Sequence, residues 1–317
     1  MVTRRIAAAL VLATARIADR AGAQGLPPYL AINPVITSRS GLFFQPYVDP
    51  TRQWDIRLLT DYASVIEFSI QPTSSVVLDA ELLRLDATVI RNAGRGFVGV
   101  STSFNGAYNG FLDGPLNWYH RVTGLRVKAR EIRPTNVYDY AIKLPNGDSL
   151  VRARPSSFLG DVRLLGGYRH TGHWQTTVAV TLPTGPTGFG RKVASAAATT
   201  TVRGALDRRW TAEVGFGAGY TPKYGDLSTY QHTTFASAST GLRFRFAGRQ
   251  AMFVNLFYQS PNYHDTGTRA LDNRELTLDY GFLLKARRGP EWFFGMTEDL
   301  EPAGPAIDLS LRIGARW

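Results

Sequence analysis

The chain has 317 residues, of which 44% are hydrophobic, and it contains no cysteine. Without cysteine, neither disulfides nor thiolate metal sites can form. The mean hydropathy of -0.14 is that of an ordinary soluble protein, but a transmembrane β-barrel averages to the same value because its lipid-facing and lumen-facing residues alternate. Beyond the N-terminus, no apolar run approaches the ~20 residues that a membrane-spanning helix needs.

The N-terminus has the three parts of a secretory signal peptide. Met1 to Arg5 is basic, Ile6 to Ala15 is apolar, and Ala21 to Ala23 supplies small residues for cleavage after Ala23. The alternative is an amphipathic first helix of the folded protein. We predict a signal peptide over residues 1–23 and export through the periplasm.

The formal charge of the chain is +11, and the four arginines and one aspartate of residues 1–23 contribute +3 of it. The mature chain therefore keeps +8. Its arginines are scattered singly and form no basic tail, which argues against nucleic acid as a partner. Anionic lipopolysaccharide, or a small anionic or amphipathic solute, is the expected partner.

Alternation with period two recurs along the chain, most regularly near its end. Leu309, Leu311 and Ile313 fall on one face, with Ser310 and Arg312 on the other. Such segments predict strands that touch lipid on one side and water on the other. The predicted lipid-facing set is Trp210, Val214, Phe216, Leu242, Phe244, Leu276, Leu278, Leu309 and Leu311.

The connections between these segments alternate between short and long, as in outer-membrane barrels. Tight turns are predicted at residues 92–95, 170–173, 207–209, 247–250 and 287–290, and longer connections at 108–156, 183–196, 221–232, 261–273 and 299–304. With a first hairpin near residues 71–75, the pattern predicts an all-β, transmembrane antiparallel up-and-down barrel of about twelve strands. A secreted β-sandwich is the alternative fold. Within residues 76–91 the alternation changes face at Leu82 and Leu83, which predicts a β-bulge.

The stretch before the barrel is irregular. Residues 24–52 contain Pro27, Pro28, Pro34 and Pro46 and show no alternation. We expect this segment to plug the lumen or to lie at its periplasmic mouth. The barrel itself is predicted over residues 53–317.

A short helix is predicted in the longest outer loop. Within residues 110–120, Pro115 is at an early position, and Leu116 and Tyr119 are three residues apart. The helix could form an outer gate or merely cap the barrel mouth. Asp113 and His120 are its candidate functional residues.

Several charged residues on predicted strands are candidates for the lumen wall. Glu298 and Asp299 are expected to face arginines across the lumen, more plausibly in a salt-bridge network than in a solute site. The full set of lumen or gate candidates is Asp113, His120, Asp161, Arg163, Arg243, Arg245, Glu298 and Asp299.

The five histidines do not indicate an enzyme. A hydrolase would need a serine beside a histidine and an orienting group, and no serine lies convincingly beside His264 in its outer loop. His170 and His173 flank a predicted periplasmic turn and lack a third metal ligand. We predict no catalytic residues, no metal and no cofactor.

The C-terminal Trp317 ends an alternating strand and resembles the terminal aromatic signal that the outer-membrane assembly machinery recognises. Three further motifs resemble a bacterial outer-membrane family known as domain of unknown function 3187. These are Asp113–His120 (DGPLNWYH) with Gly124 and Leu125, Gly160–Leu164 (GDVRL), and Phe294–Asp299 (FGMTED). The resemblance covers most of the mature chain and implies an outer-membrane protein without an established activity.

The functional expectation is a passive pore or solute-uptake channel in the outer membrane of a Gram-negative-type bacterium. Because the mature chain is basic and predicted lumen residues are arginines, a weak anion preference is expected. Two alternatives stay open: a closed barrel with a structural or surface-interaction role, and a lipid-modifying enzyme, which the histidines disfavour. About twelve strands does not decide between an open and a filled lumen.

Overall fold

The computed structural model describes residues 25–124, 128–151, 156–186, 189–301 and 309–317. The predicted signal peptide lies outside the described residues. In the described part of the chain, no helix is both long and apolar enough to cross a membrane.

Twelve antiparallel strands form a closed barrel in which each strand pairs with the next along the chain and the last pairs with the first. This closure removes the free edges that a β-sandwich would leave. The barrel strands are β1 (Trp54–Ile70), β2 (Ser75–Ala93), β3 (Gly96–Tyr108), β7 (Val162–Arg169), β8 (Trp174–Leu182), β9 (Ser195–Ala205), β10 (Trp210–Tyr220), β11 (Thr234–Ala247), β12 (Gln250–Gln259), β13 (Glu275–Lys285), β14 (Glu291–Asp299) and β15 (Leu309–Arg316).

The remaining elements lie in the connections and in the N-terminal segment. Three short strands, β4 (Asp139–Lys143), β5 (Ser149–Val151) and β6 (Ser156–Leu159), extend the wall around β2 and β3. The helices are α1 (Pro34–Thr37), α2 (Asp113–Thr123), α3 (Lys128–Ile132) and α4 (Arg269–Asp272), with a single 3₁₀ turn at Ser228–Tyr230.

The predicted turns and long connections are confirmed, except that residues 302–304 of the last connection lie outside the described residues. The five predicted tight turns lie at one end of the barrel, called here the turn side. The long connections lie at the other end, the loop side, together with the short first hairpin at residues 71–74. The outward face carries large exposed apolar side chains, such as Leu311 and Ile313 at 43% and 42% exposure, whereas Ser310 and Arg312 between them are buried inside. An apolar exterior around a polar interior is the surface that a lipid bilayer requires. At the turn side this exterior ends in exposed aromatic residues: Trp54, Tyr168, Trp174, Trp210, Trp292 and Trp317.

The predicted β-bulge at Leu82 and Leu83 is wrong. β2 pairs with β1 and β3 without any change of register. The face of β2 that turns inward is polar at Arg84 and Asp86 but apolar at Leu78 and Leu82. The polarity inverts because the outer half of β2 packs its inner face against an apolar core of the loops.

That apolar core closes the loop side of the barrel. It joins Leu78 and Leu82 of β2 with Ile142 of β4, Leu271 of α4 and Val35 of α1. All five side chains are at most 4% exposed. Segments from several loops and from the N-terminal segment therefore share one core above the lumen.

Residues 25–48 run inside the barrel, and we call them the plug. Nearly all of them are buried, including Leu26, Phe44 and Val48. Their apolar side chains pack on inward-facing residues of the wall, such as Phe253 and Phe293. Of the two sequence-based alternatives for this segment, the structure shows the plug.

Candidate functional site

The site is the lumen, where the barrel wall holds the plug through hydrogen bonds to its main chain. Arg84 of β2 donates to the carbonyl groups of Ala31 (2.6 Å) and Leu30 (2.7 Å). From the other neighbour of β1, Arg312 of β15 donates to the carbonyl of Pro28 at 2.7 Å. These are charge-assisted hydrogen bonds, which are stronger than neutral ones.

Carboxylates and amides of the wall hold further plug groups. Glu213 of β10 accepts the backbone N–H of Tyr47 at 3.1 Å, and Gln175 of β8 accepts that of Val48 at 2.8 Å. Glu67 of β1 accepts the side-chain amide of Asn33 at 2.9 Å. An irregular segment buried in this way needs such partners, because its N–H and C=O groups have no strand or helix to pair with.

Ion pairs link the inner faces of neighbouring strands. Asp61 lies between Arg84 and Arg312, whose Nε atoms donate to it at 2.9 and 2.8 Å. Arg312 also reaches Asp279 at 2.7 Å. The lumen wall therefore carries opposite charges in close alternation rather than a ring of arginine alone.

Arg163 is an exception within this network. It lies on the inner face of β7 near the loop side, with its guanidinium carbon 4.9 Å from the ring centre of Phe43 in the plug. Its Nε atom is buried without a hydrogen-bond partner. Among the described residues, the Arg163 side chain makes no hydrogen bond and no ion pair.

Asp161 lies beside it, at a β-bulge between β6 and β7. Its carboxylate pairs with Arg191 at 3.0 Å and accepts the backbone N–H of Gly185 at 2.8 Å. Arg191 in turn donates to the carbonyl of Ser40 in the plug. Burial lowers the pKa of the Arg191 guanidinium from its ordinary value, and the Asp161 carboxylate acts in the opposite direction. Asp161 thus fixes the β8–β9 loop over the plug.

The other arginine candidates lie near the turn side. Arg243 is 4% exposed on the inner face of β11. Arg245 is exposed at the rim, where it donates to the carbonyl of Arg208.

The prediction that Glu298 faces the lumen is wrong. On β14, Trp292 and Phe294 point outward, and Glu298 shares their face because side chains alternate along a strand. Its carboxylate accepts the hydroxyl of the outward-facing Tyr280 at 3.1 Å. Only Asp299 lies on the inner face, where it accepts the backbone N–H of Glu301 at 2.8 Å. The strand has reached its outer end here, so lipid no longer excludes a carboxylate from the outer face.

The interpretation of α2 as a gate or a cap of the mouth is also wrong. Phe111, just before the helix, stacks on Tyr62 with ring centres 5.6 Å apart, and the backbone N–H of Leu112 donates to Glu81. Tyr62 and Glu81 are on the outer faces of β1 and β2. The helix therefore lies beside the barrel wall, because polar side chains on the outer face of these strands offer it partners.

The two candidates on α2 are accordingly remote from the lumen. Asp113 pairs with Arg130 at 2.6 Å, and Arg130 donates to Ser64 on the outer face of β1 at 2.6 Å. The imidazole of His120 makes an edge contact with Tyr119. Asp113 fastens the loop to the wall.

The imidazoles of His170 and His264 each form an ordinary hydrogen bond close by in the chain. His170 bonds to Thr176 at 2.9 Å, and His264 bonds to Asp265 at 2.9 Å. No group of three or more potential metal ligands occurs in the described ranges.

Sequence reasoning missed the residues that anchor the plug, chiefly Arg84, Arg312 and Glu213. Each is an isolated charged residue on the inner face of a predicted strand. The available signal was their inward position together with the proline-rich segment, which lacks strand partners of its own.

The fold and its lumen define a class, a transmembrane β-barrel with an internal plug, and comparison with solved structures supports the β-barrel fold. The chain is similar to the COG4313 outer membrane channel from Pseudomonas putida F1, with 14% identity, a TM-score of 0.53, and coverage of 85% of this chain and 99% of that one. It is also matched to the NanC porin, with 7% identity, a TM-score of 0.46, and coverage of 83% and 98%. At these identities the likeness concerns the fold.

No family model matches the chain, and no curated protein matches it. Membership of the family named above therefore stays a prediction.

Proposed function

We propose that this protein is a channel of the outer membrane of a Gram-negative bacterium whose plug must move for solutes to pass. The observation that carries the proposal is how the lumen is filled. Wall residues such as Arg84 and Glu213 form hydrogen bonds with the main chain of the plug, which lies between them in the lumen. The plug also supplies Val35 to the apolar core over the loop side, so its displacement would both clear the polar lumen and disrupt that core.

The chemistry of the plug contacts permits such a movement. Most wall partners bond to main-chain carbonyl and N–H groups, which water can also satisfy. The net cost of this exchange is about 0.5–1.5 kcal/mol for a neutral hydrogen bond and about 1.5–3 kcal/mol for one to a charged group such as Arg84 or Glu213. The apolar contacts of Leu26 and Phe44 resist removal. A plug held by both kinds of contact favours a closed resting state with rare opening.

A weak anion preference belongs to the proposal. Most lumen arginines face carboxylates, as Arg312 faces Asp61 and Asp279, so the preference rests on Arg163, which lacks an ion-pair partner in the described part of the chain. One uncompensated guanidinium in a narrow passage attracts anions. Reversal potential in a salt gradient tests this: Arg163→Gln should lose the preference, and Arg245→Gln at the rim should keep it.

A disulfide that locks the plug tests the gating step. A Cβ atom built at Gly41 would lie 3.5 Å from the Cβ of Ser195 on β9, within the usual Cβ separation of a disulfide. We expect the oxidised Gly41→Cys/Ser195→Cys protein to show no channel openings in planar bilayers and the reduced protein to show them. The chain has no cysteine of its own. The variants with only Gly41→Cys or only Ser195→Cys therefore cannot form an internal disulfide, and they serve as controls.

The possible results separate the candidate functions. Openings in the locked protein at the rate of the reduced protein would mean that the plug is not the gate. No openings in the parent, the reduced variant, or a variant lacking residues 25–48 would favour a closed structural barrel, which the apolar core over the loop side also suits.

The outer-membrane location and partners belong to the same proposal. The apolar exterior and the aromatic ring at the turn side suit lipid contact, with lipopolysaccharide at the loop side. We propose that the assembly machinery recognises the strand that ends at Trp317. Sucrose-gradient fractionation of cells should place the folded protein with the outer membrane, and its recovery with the inner membrane would contradict this location.

A further inference from the structure

Arg163 is a partly buried cation that forms no ion pair with any described residue. Its side chain lies between the wall and Phe43 of the plug, and no hydrogen bond engages it in the described ranges. Two carboxylates, Asp86 and Asp161, act on it electrostatically, but neither forms an ion pair with it. Asp86 accepts the hydroxyls of Thr88 and Ser101 at 3.0 and 3.2 Å, and Asp161 pairs with Arg191. A buried charge without a partner is unfavourable, and a bound counter-ion relieves this cost.

Two cavities adjoin this side chain. The larger, of about 80 Å³, lies between the plug and the strands β2, β3, β7 and β8. The smaller, of about 30 Å³, lies deeper in the lumen. Arg84, Arg163 and Leu30 line both cavities. Because Arg84 is already bonded to Asp61 and the plug, Arg163 is the cation free to bind an occupant.

Apolar side chains form much of the rest of the larger cavity, beside polar groups that include Thr37, Asn105 and the Asp161–Arg191 ion pair. Leu30, Ile32 and Pro34 of the plug face Leu82 and Phe158 of the wall and its extension. A simple inorganic anion would leave these surfaces in contact with nothing or with water. An occupant with a carboxylate at one end and a hydrocarbon chain at the other would satisfy both halves of the cavity.

We propose that this cavity is a binding site for a small amphipathic monocarboxylate, held by a two-pronged hydrogen bond from Arg163. Guanidinium and carboxylate groups match in this geometry. The volume is about half of the ~150 Å³ cavity that accommodates benzene in a well-studied protein, which suits an acid of about four carbons. The inference deepens the proposed channel function by naming a solute class, and it rests on that function only for transport, not for binding.

The plug forms one side of the site. Phe43 stacks on the guanidinium group, and three plug residues supply apolar lining. The site should therefore be complete when the plug is in place. This separates binding from opening, since the protein locked through Gly41→Cys and Ser195→Cys keeps the plug where the site requires it.

Calorimetric titration of the full mature protein in detergent tests the proposal, with sodium butyrate as the probe and butyramide and butylammonium as matched neutral and cationic probes. We expect butyrate to bind the parent and the locked protein alike, and the other two probes to bind at least about tenfold more weakly. Arg163→Gln should weaken butyrate binding by about tenfold or more, whereas Arg245→Gln should leave it unchanged. Heat-modifiable electrophoretic mobility checks that each variant is folded.

Several results would overturn the site. These are no butyrate binding by the parent, equal binding of butyrate and butyramide, and undiminished binding by folded Arg163→Gln. Chloride that competes as strongly as butyrate itself would reduce the site to one for any anion. If Arg163→Gln does not fold, the relative binding of butyrate, butyramide and butylammonium to the parent still tests whether the site selects a carboxylate. Butyrate binding to a locked protein that nonetheless conducts would refute the plug as gate while supporting the site.

Discussion

The Tyr29 hydroxyl, on the plug, donates a hydrogen bond of 2.9 Å to the Glu275 carboxylate on β13. Both side chains are buried, and Thr277 also donates to Glu275 at 2.9 Å. Within the described part of the chain Glu275 forms no ion pair, and both hydroxyl groups bond to the same carboxylate oxygen, Oε1. If the plug moved, this buried carboxylate of the wall would lose one of its hydrogen-bond donors.

Tyr29→Phe should make the channel open more often. The change removes one of the two hydroxyl donors to Glu275, which costs about 1–3 kcal/mol when a buried acceptor loses a partner. Because about 1.4 kcal/mol corresponds to a factor of ten, the open population should rise by about five- to 150-fold. Single-channel recording measures the opening frequency, with Tyr220→Phe on the outward face as the control. An opening frequency equal to that of the parent would show that this contact does not hold the plug.

Leu311→Arg should destabilise the barrel strongly. Leu311 is 43% exposed on the outer face and pairs with Tyr62, the middle residue of β1. An arginine on the lipid face costs about 2–4 kcal/mol near the bilayer midplane and about 0–1 kcal/mol near its surface. Phe246→Arg, near the turn-side rim of β11, is the matched control. Urea unfolding in liposomes compares the two, and similar losses would mean that the membrane is placed elsewhere on the barrel.

The sequence predicted the strands well wherever lipid enforces their alternation. Between Leu309 and Arg316, one face meets hydrocarbon and the other a polar lumen, so the pattern alone determined the register. The same logic failed at Leu78 and Glu298. Both lie at the outer ends of strands, where the inner face packs on loops and the outer face accepts polar groups.

The position of the plug could not be predicted for a different reason. Its prolines rule out regular pairing, but its partners, such as Arg84 and Glu213, are single residues far along the chain. Contacts of this kind leave no periodic pattern in the local sequence. The outer position of α2 could not be predicted for the same reason. Tyr62 and Glu81, which hold the start of α2, come together only when β1 and β2 pair.

Deleting Trp317 should impair assembly of the barrel. Its backbone N–H donates to the carbonyl of Ile56 at 2.9 Å, extending the β15–β1 pairing that closes the barrel. We expect secretion to continue while less protein reaches the heat-modifiable, folded form in the outer membrane. Trp317→Phe, which keeps an aromatic terminus, is the control. Normal folded yield after the deletion would remove Trp317 from any role in assembly.

Gly110→Ala should detach the α2 segment from the barrel wall. Gly110 has a φ of +55°, and a Cβ atom there would overlap the carboxyl group of Glu81. That carboxylate accepts the hydroxyl of Tyr62 and the backbone N–H of Leu112, so both contacts would be lost together. Strain at a positive φ adds about 1 kcal/mol to the loss.

Limited trypsin digestion of the folded protein in detergent measures the detachment, because Arg121 and Arg130 lie in the segment. We expect faster cleavage there in Gly110→Ala, with the barrel fragment intact. Gly114→Ala is the matched control, since a Cβ atom at that position of α2 meets nothing within 4 Å, and alanine stabilises a helix relative to glycine by about 0.5–1 kcal/mol. Equal cleavage rates in the two variants would mean that Glu81 does not hold the segment.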